Sequence, residues 1–101
     1  MAPTVTPGTV VDEHALLARM AAEGHLGGHA YDEAPGGEYP AHTHGFDKVL
    51  YCVAGSLVFT TPDGELPLGP GDRLDLPRGT EHSAVIGPDG ARCLEARRAQ
   101  P

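Results

Sequence analysis

The chain has 101 residues, of which 40% are hydrophobic, and a formal net charge of −7. This length corresponds to one domain with a single core. The negative charge argues against nucleic-acid binding, which needs a basic surface to meet the phosphates. No apolar run approaches the ~20 residues of a membrane-spanning helix, and the N-terminus lacks the basic start and apolar stretch of a secretory signal. We therefore expect a cytoplasmic protein that binds neither nucleic acid nor membranes.

Residues 1–29 are predicted to form an N-terminal arm and helix outside the main domain. Met1–Thr9 holds prolines, threonines and a glycine, which predicts a flexible arm. Asp12–Gly24 predicts a helix, because Asp12 is a good N-cap and Gly24 is placed to end it. Its apolar stripe indicates packing against the outside of the main domain, with a lid or dimer interface as the alternative.

Residues 30–98 are predicted to form the main, all-β domain, which composition alone leaves open as a sandwich or a barrel. Glycine and proline, at 14 and 10 residues, are about twice as frequent as usual, which favours many turns and short strands. The predicted turns are Gly36-Gly37, Pro62-Asp63-Gly64, Gly69–Asp72 and Pro88-Asp89-Gly90. The predicted strands are Val49–Thr61 with a bend at Gly55-Ser56, Arg73–Leu76, His82–Ala84 and Ala91–Ala96.

The two cysteines, Cys52 and Cys93, each lie in an apolar, strand-like run. In a reducing compartment such residues are typical of small buried hydrophobes rather than of a disulfide. Without CxxC spacing, they do not indicate a thiolate metal site.

Three histidines are the main indication of a functional site in the sequence. His42 and His44 are two residues apart, so on an extended strand both side chains leave the same face and can reach one metal ion. Alone, such a pair is weak evidence for a metal site, because it is more often two partly exposed histidines near a strand edge. His82 is in phase with Ala84 and Ile86 on one face of a later strand.

The spacing around these histidines resembles that of the cupin family, over roughly residues 36–86. The first cupin motif is glycine, five residues, His-x-His, three residues, an acidic position, six residues and glycine. This chain has Gly36, His42-Thr43-His44, Lys48 at the acidic position and Gly55, with every spacing kept. The second motif appears as Gly71, Pro77-Arg78-Gly79 and His82, with Ile86 where asparagine often stands.

The resemblance implies a cupin fold, a double-stranded β-helix or jelly-roll barrel, here with a short N-terminal helix. It implies that His42, His44 and His82 bind a divalent transition metal in the barrel mouth, and it implies a homodimer. Neutral imidazoles suit Fe, Zn, Ni, Mn or Cu, so the ligand set does not identify the metal. The remaining histidines, at positions 14, 25 and 29, lie on the helix or in a glycine-rich connection and are not expected to be ligands.

Lys48 is the main departure from the family, because an ammonium cannot donate an electron pair to a metal and repels a dication. It is also the only lysine of the chain and lies in phase with Leu50 and Cys52. In the favoured interpretation, Lys48 holds an anionic substrate or acts as an acid or base beside a three-histidine metal. Alternatively, Asp47 turns inward through a bulge and supplies a carboxylate, or Lys48 displaces the metal and leaves a metal-free pocket.

Two functions remain open at this stage. The first is a metal-dependent dioxygenase, isomerase or lyase that acts on a small anionic molecule, with Lys48 as the catalytic residue. The second is a non-catalytic, small-molecule-binding cupin that need not hold metal. Because one fold hosts many chemistries, the resemblance does not choose between them.

Overall fold

The computed structural model describes residues 2–99, which form antiparallel strands and one helix. The elements in chain order are β1 (Thr4–Thr6), α1 (Glu13–Ala22), β2 (Leu26–Glu33), β3 (Glu38–His42), β4 (Phe46–Thr61), β5 (Gly64–Leu68), β6 (Arg73–Leu76) and β7 (His82–Ala99). The main strand order is β1-β6-β4-β7-β2, with β3 paired to β7 and β5 paired to β4. This curled sheet is the predicted jelly-roll barrel.

The two longest strands, β4 and β7, pair along most of their length and bend together. The register between them shifts on either side of Gly55, which confirms the bend predicted there. Gly55 and Gly90 have φ angles of +70° and +77°, a region that favours glycine. A Cβ atom on Gly55 would collide with the carbonyl oxygen of Gly90. The close approach of these two glycines allows the long strands to turn the barrel corner.

One predicted turn is wrong. Pro88-Asp89-Gly90 lies inside β7, so the two strands predicted on either side of it are one continuous strand. Ile86 pairs with Leu57 and Ala91 pairs with Gly55, so the ladder with β4 skips residues 87–90. These four residues lie opposite Ser56 alone, and this irregularity interrupts the ladder without ending the strand. The other three predicted turns connect β2 to β3, β4 to β5 and β5 to β6.

The core has two layers, one on each face of the sheet. The barrel interior is filled by an inner cluster of buried residues: Leu50, Cys52, Leu57, Phe59, Leu68, Leu74, Leu76, Ala84, Ile86, Ala91 and Cys93. The outer cluster lies between α1 and the back of the sheet: Leu16, Met20, Val49, Tyr51, Val53, Leu94 and Ala96. The helix therefore packs on the outside of the barrel, as predicted.

The N-terminal residues differ from the expected flexible arm. Thr4–Thr6 form β1, which pairs with β6, and Val5 packs against the inner cluster. This pairing joins segments far apart in the sequence, so the local composition gave no sign of it. Met1 lies outside the described residues. The expected domain boundary between residues 29 and 30 falls inside β2, and the division of the chain at that point stays a prediction.

The helix itself matches the prediction closely. The side chain of Asp12 caps it by accepting a hydrogen bond of 3.1 Å from the Ala15 amide. Gly24, with a φ of +93°, follows its last turn. Within residues 2–99, no helix has the length and apolar character needed to cross a membrane.

Candidate metal centre

The sheet brings the three predicted histidines to one point at the barrel mouth. His42 ends β3 and His82 begins β7, and the two are direct partners in the ladder. His44 lies just beyond β3 in the connection to β4, where its carbonyl accepts a 2.8 Å hydrogen bond from the Gly79 amide. Two of the three side chains thus come from paired strand ends. The third comes from a loop that is hydrogen-bonded to the loop between β6 and β7.

The rings face one another at short range. The ring centroids lie 4.7 Å apart for His42 and His44, 4.3 Å for His42 and His82, and 5.1 Å for His44 and His82. One nitrogen from each ring can be chosen so that all three lie within 4.8 Å of one another. Three nitrogens about 2.0–2.1 Å from one ion in a tetrahedral site would lie about 3.3 Å apart, so the rings converge on one point and would draw closer together around a divalent metal.

Backbone carbonyls orient two of the rings. The Nδ1 atom of His42 lies 2.8 Å from the Pro40 carbonyl oxygen, and that of His82 lies 2.9 Å from the Thr80 carbonyl oxygen. A carbonyl can only accept, so each Nδ1 donates a proton and the Nε2 atom of that ring keeps its lone pair. This is the tautomer that metal-binding histidines adopt.

The strongest feature of the site is a pair of unsatisfied atoms. The Nε2 atoms of His44 and His82 are buried and have no hydrogen-bond partner within residues 2–99. A buried polar atom without a partner costs about 1–3 kcal/mol. A metal ion between the rings would satisfy both atoms.

The environment also favours the neutral form of the His44 and His82 rings. Burial lowers the pKa of His44, and the nearby positive charge of Lys48 lowers it further. Burial lowers the pKa of His82 as well, against the smaller opposing effect of its hydrogen bond to Thr80. Neutral imidazoles have the free electron pair that a metal ligand needs.

The histidines open into a cavity of about 290 Å³ with an apolar floor and a polar rim. The floor consists of Leu50, Leu57, Phe59, Ala84 and Ile86, all from the inner cluster. The rim consists of His29, Tyr31, Glu33, Tyr39, Lys48 and Glu95, together with the three histidines. A volume of this size is at the lower end of small-molecule sites.

Lys48 points into this cavity and is held by Glu95. Its Nζ atom lies 3.1 Å from Oε1 of Glu95, and its side chain is only 13% exposed. Tyr31 donates a 2.8 Å hydrogen bond to the same oxygen. Burial would raise the pKa of Glu95, but Lys48 and Tyr31 outweigh that effect and hold it below its usual range. Burial and the charge of Glu95 raise the pKa of Tyr31 well above its usual range.

Asp47 takes a different direction from Lys48. Its Oδ1 atom accepts a 3.0 Å hydrogen bond from the Arg78 amide, and Asp47 is not among the described residues that line the cavity of the three histidines. The alternation of the strand therefore holds at this point, and the bulge that would have turned Asp47 inward is not present between Phe46 and Cys52.

The other histidines stand apart from the cluster. His14 is exposed on α1, and Nδ1 of His25 lies 3.3 Å from the Met20 carbonyl oxygen. Nδ1 of His29 lies 2.9 Å from the Gly27 carbonyl oxygen, although His29 reaches the cavity rim.

Sequence reasoning left the carboxylates of the rim unassigned. Glu95 is in phase with Cys93 on β7, so alternation alone favours an inward side chain, but only the structure shows its partner. Glu33 accepts a 2.9 Å hydrogen bond from Tyr39, and no local sequence signal joins that pair.

Comparisons with known proteins agree with this architecture. The profile of the Cupin domain family matches residues 31–95. No curated protein matches the sequence. Among solved structures, a protein of unknown function from Rhizobium leguminosarum bv. viciae 3841 is 21% identical, with a TM-score of 0.68, covering 75% of this chain and 78% of that one.

Two further structures show the same fold. A cupin-2 domain containing protein from Shewanella frigidimarina NCIMB 400 is 22% identical, with a TM-score of 0.61, covering 70% of this chain and 69% of that one. The DMSP lyase DddQ from Ruegeria pomeroyi DSS-3 is 24% identical, with a TM-score of 0.66, covering 72% of this chain but 38% of that one. The family profile spans well over half of the sequence, and the chain belongs to the cupin family.

Proposed function

We propose that this protein is a metal-dependent enzyme of the dioxygenase, isomerase or lyase type that acts on a small anionic molecule. His42, His44 and His82 would hold a divalent transition metal, drawn from Fe, Zn, Ni, Mn or Cu. The observation that carries the proposal is the pair of buried Nε2 atoms without a partner among the described residues, in a cluster where one ligand nitrogen from each of the three histidines lies within 4.8 Å of the others. Core histidines without a ligand normally find a hydrogen-bond partner for each buried nitrogen.

The bound metal would supply a Lewis acid that polarises an oxygen atom of the substrate or of water. Three protein ligands would leave coordination positions open to such groups. An anionic group is favoured there, because imidazoles that bind a metal are neutral and the charges of Lys48 and Glu95 cancel. The charge of the metal would then be uncompensated.

Residues of the rim would donate protons to the substrate and accept protons from it. Lys48 has three N–H donors, one of which is directed at Glu95, so the others can hold or protonate a substrate oxygen. Glu95 stays ionised and can accept a proton in return. The apolar floor excludes water from the far side of the substrate and strengthens these interactions.

The test is metal binding by the purified protein after removal of metal with a chelator. We expect one Co²⁺ or Zn²⁺ per chain, with the d–d absorption of cobalt reporting imidazole ligands, and a rise in Tm on loading. His42→Ala and His82→Ala should each lose this binding, whereas His14→Ala should keep it. His42 is exposed, so its variant tests the site even if loss of the buried His82 affects folding.

The competing function, a metal-free binding module, gives a different result. Wild-type protein that takes up no metal from supplemented buffer and shows no rise in Tm would contradict our proposal and favour that alternative. If metal binds, turnover of any member of a panel of small carboxylates and hydroxy acids supports the enzymatic function. Stabilisation by panel members without any turnover would support a non-catalytic metal-binding role instead.

A further inference from the structure

The positive charge of Lys48 would oppose the binding of a metal ion at the three histidines. This residue lines the same cavity as the three histidines, and the cupin motif has an acidic residue at its position. An ammonium in a partly buried cavity repels a dication more strongly than it would in water. A metal at the histidines therefore requires that this charge be held and compensated.

Glu95 is placed to do this by the pairing of β4 and β7. Glu95 lies directly opposite Leu50 in the ladder, and Lys48 is two residues from Leu50 on the same face. Lys48 and Glu95 are thus diagonal neighbours, within reach of long side chains. Their charged atoms lie 3.1 Å apart, and the two side chains are 13% and 27% exposed.

The carboxylate is fixed from a second side as well. Tyr31 comes from β2, the strand on the other side of β7, and donates to the same oxygen that contacts Lys48. Three neighbouring strands therefore set the orientation of this ion pair. Arg97 lies opposite Lys48 in the ladder, but its guanidinium sits 5.0 Å from the centre of the Phe46 ring.

We propose that Glu95 is a positioning residue of the metal centre, which holds the Lys48 ammonium and neutralises it so that a dication can bind at the histidines. This inference rests on the proposed metal site and extends it. The negative charge that the family motif has on one strand is replaced here by a neutral pair across two strands. The affinity for metal should then follow the net charge of the pair.

The experiment measures the dissociation constant for Zn²⁺ by competition with a chelator, in a cycle of four proteins. Glu95→Gln leaves the ammonium uncompensated and should weaken zinc binding on the order of tenfold or more. Lys48→Met removes the repulsion and should tighten binding by a similar order. The double variant again has a neutral pair and should return to within about threefold of wild type.

The return in the double variant separates electrostatics from damage to the fold, since two structural losses would add rather than cancel. Glu33→Gln is the matched control, because it makes the same change on the same rim, at a carboxylate that accepts a hydrogen bond from Tyr39. We expect it to change the zinc affinity by less than about threefold. The Tm of each metal-free variant reports its folding.

The outcomes distinguish this inference from the proposed function. Wild-type protein that takes up no zinc contradicts both. Zinc binding by wild type together with an unchanged affinity in Glu95→Gln contradicts only the role of Glu95. If Glu95→Gln fails to fold, Lys48→Met still tests the inference. An unchanged or weaker zinc affinity in that variant would contradict the expectation that affinity follows the net charge of the pair.

Discussion

At the scale of single residues, the barrel interior contains two kinds of buried polar atom. The thiol of Cys52 is satisfied, because it lies 3.3 Å from the Ala54 carbonyl oxygen and donates to it. The Nε2 atoms of His44 and His82 are not satisfied. Only the second kind lacks a hydrogen-bond partner among the described residues, and both atoms of this kind lie at the barrel mouth, where the proposed metal would bind.

The cysteines give a prediction of their own. Both are free and buried, as expected from the sequence, and burial raises the pKa of Cys93 to about 12. Burial also raises the pKa of Cys52. Since the thiolate is the reactive form, only about one part in ten thousand of Cys93 is reactive at pH 8.

We therefore expect native protein to react with an aromatic disulfide reagent far more slowly than protein unfolded in urea, which should release two equivalents at once. The difference in rate between native and unfolded protein should decrease as the pH rises toward the pKa of the buried thiols, because the thiolate fraction of the native protein grows tenfold per pH unit. Rapid release of two equivalents from the native protein at pH 8 would show that these thiols are not enclosed as described.

At the scale of elements, local signals were enough for some segments and failed for others. The helix was predictable because Asp12 and Gly24 act within one turn of its ends. The strand Arg73–Leu76 was predictable because its alternation is local. In contrast, β1 and the continuity of β7 depend on partners far along the chain, and Pro88-Asp89-Gly90 carries a turn-like composition that the ladder overrides.

The same division applies to the site. The three histidines could be predicted because two glycine-anchored motifs fix their spacing and phase. The partner of Lys48 could not, because Glu95 lies on a different strand and its contact depends on the register between β4 and β7. Alternation predicts which face a residue occupies, but not which residue stands beside it.

The contribution of the helix to stability should be independent of metal binding at the proposed site. Leu16 is fully buried under α1, so Leu16→Ala should lower the free energy of unfolding by about 2–5 kcal/mol. Leu17 is only partly buried, so Leu17→Ala should cost less than half as much. Urea unfolding of the two variants measures this difference.

The zinc affinity of folded Leu16→Ala should stay unchanged, because α1 packs on the face of the sheet opposite the cavity. A clear loss of zinc affinity in this variant, measured where it is fully folded, would mean that the helix supports the site through the sheet.

At the scale of the whole molecule, the fold depends on the shared bend of β4 and β7. These strands have 16 and 18 residues, and residues on both sides of the bend line the cavity: Lys48 and Phe59 in β4, His82 and Glu95 in β7. The carbonyl oxygen of Gly90 sits where a side chain on Gly55 would begin. The barrel can close only if the backbones approach this closely, so the absence of a side chain at Gly55 is a requirement of the architecture.

Gly27 provides a matched control for this requirement, because its φ is also +70° but a Cβ there would meet nothing within 4 Å. Gly27→Ala should therefore cost only the backbone strain of a left-handed conformation, about 1–2 kcal/mol. Gly55→Ala bears the same strain and the collision with Gly90, so it should cost at least about 2 kcal/mol more. Urea unfolding of both variants measures the difference, and a Gly55→Ala variant too unstable to purify agrees with it. If the two variants were equally stable, β4 and β7 would have to separate at the bend without penalty, and the close approach would not be what closes the barrel.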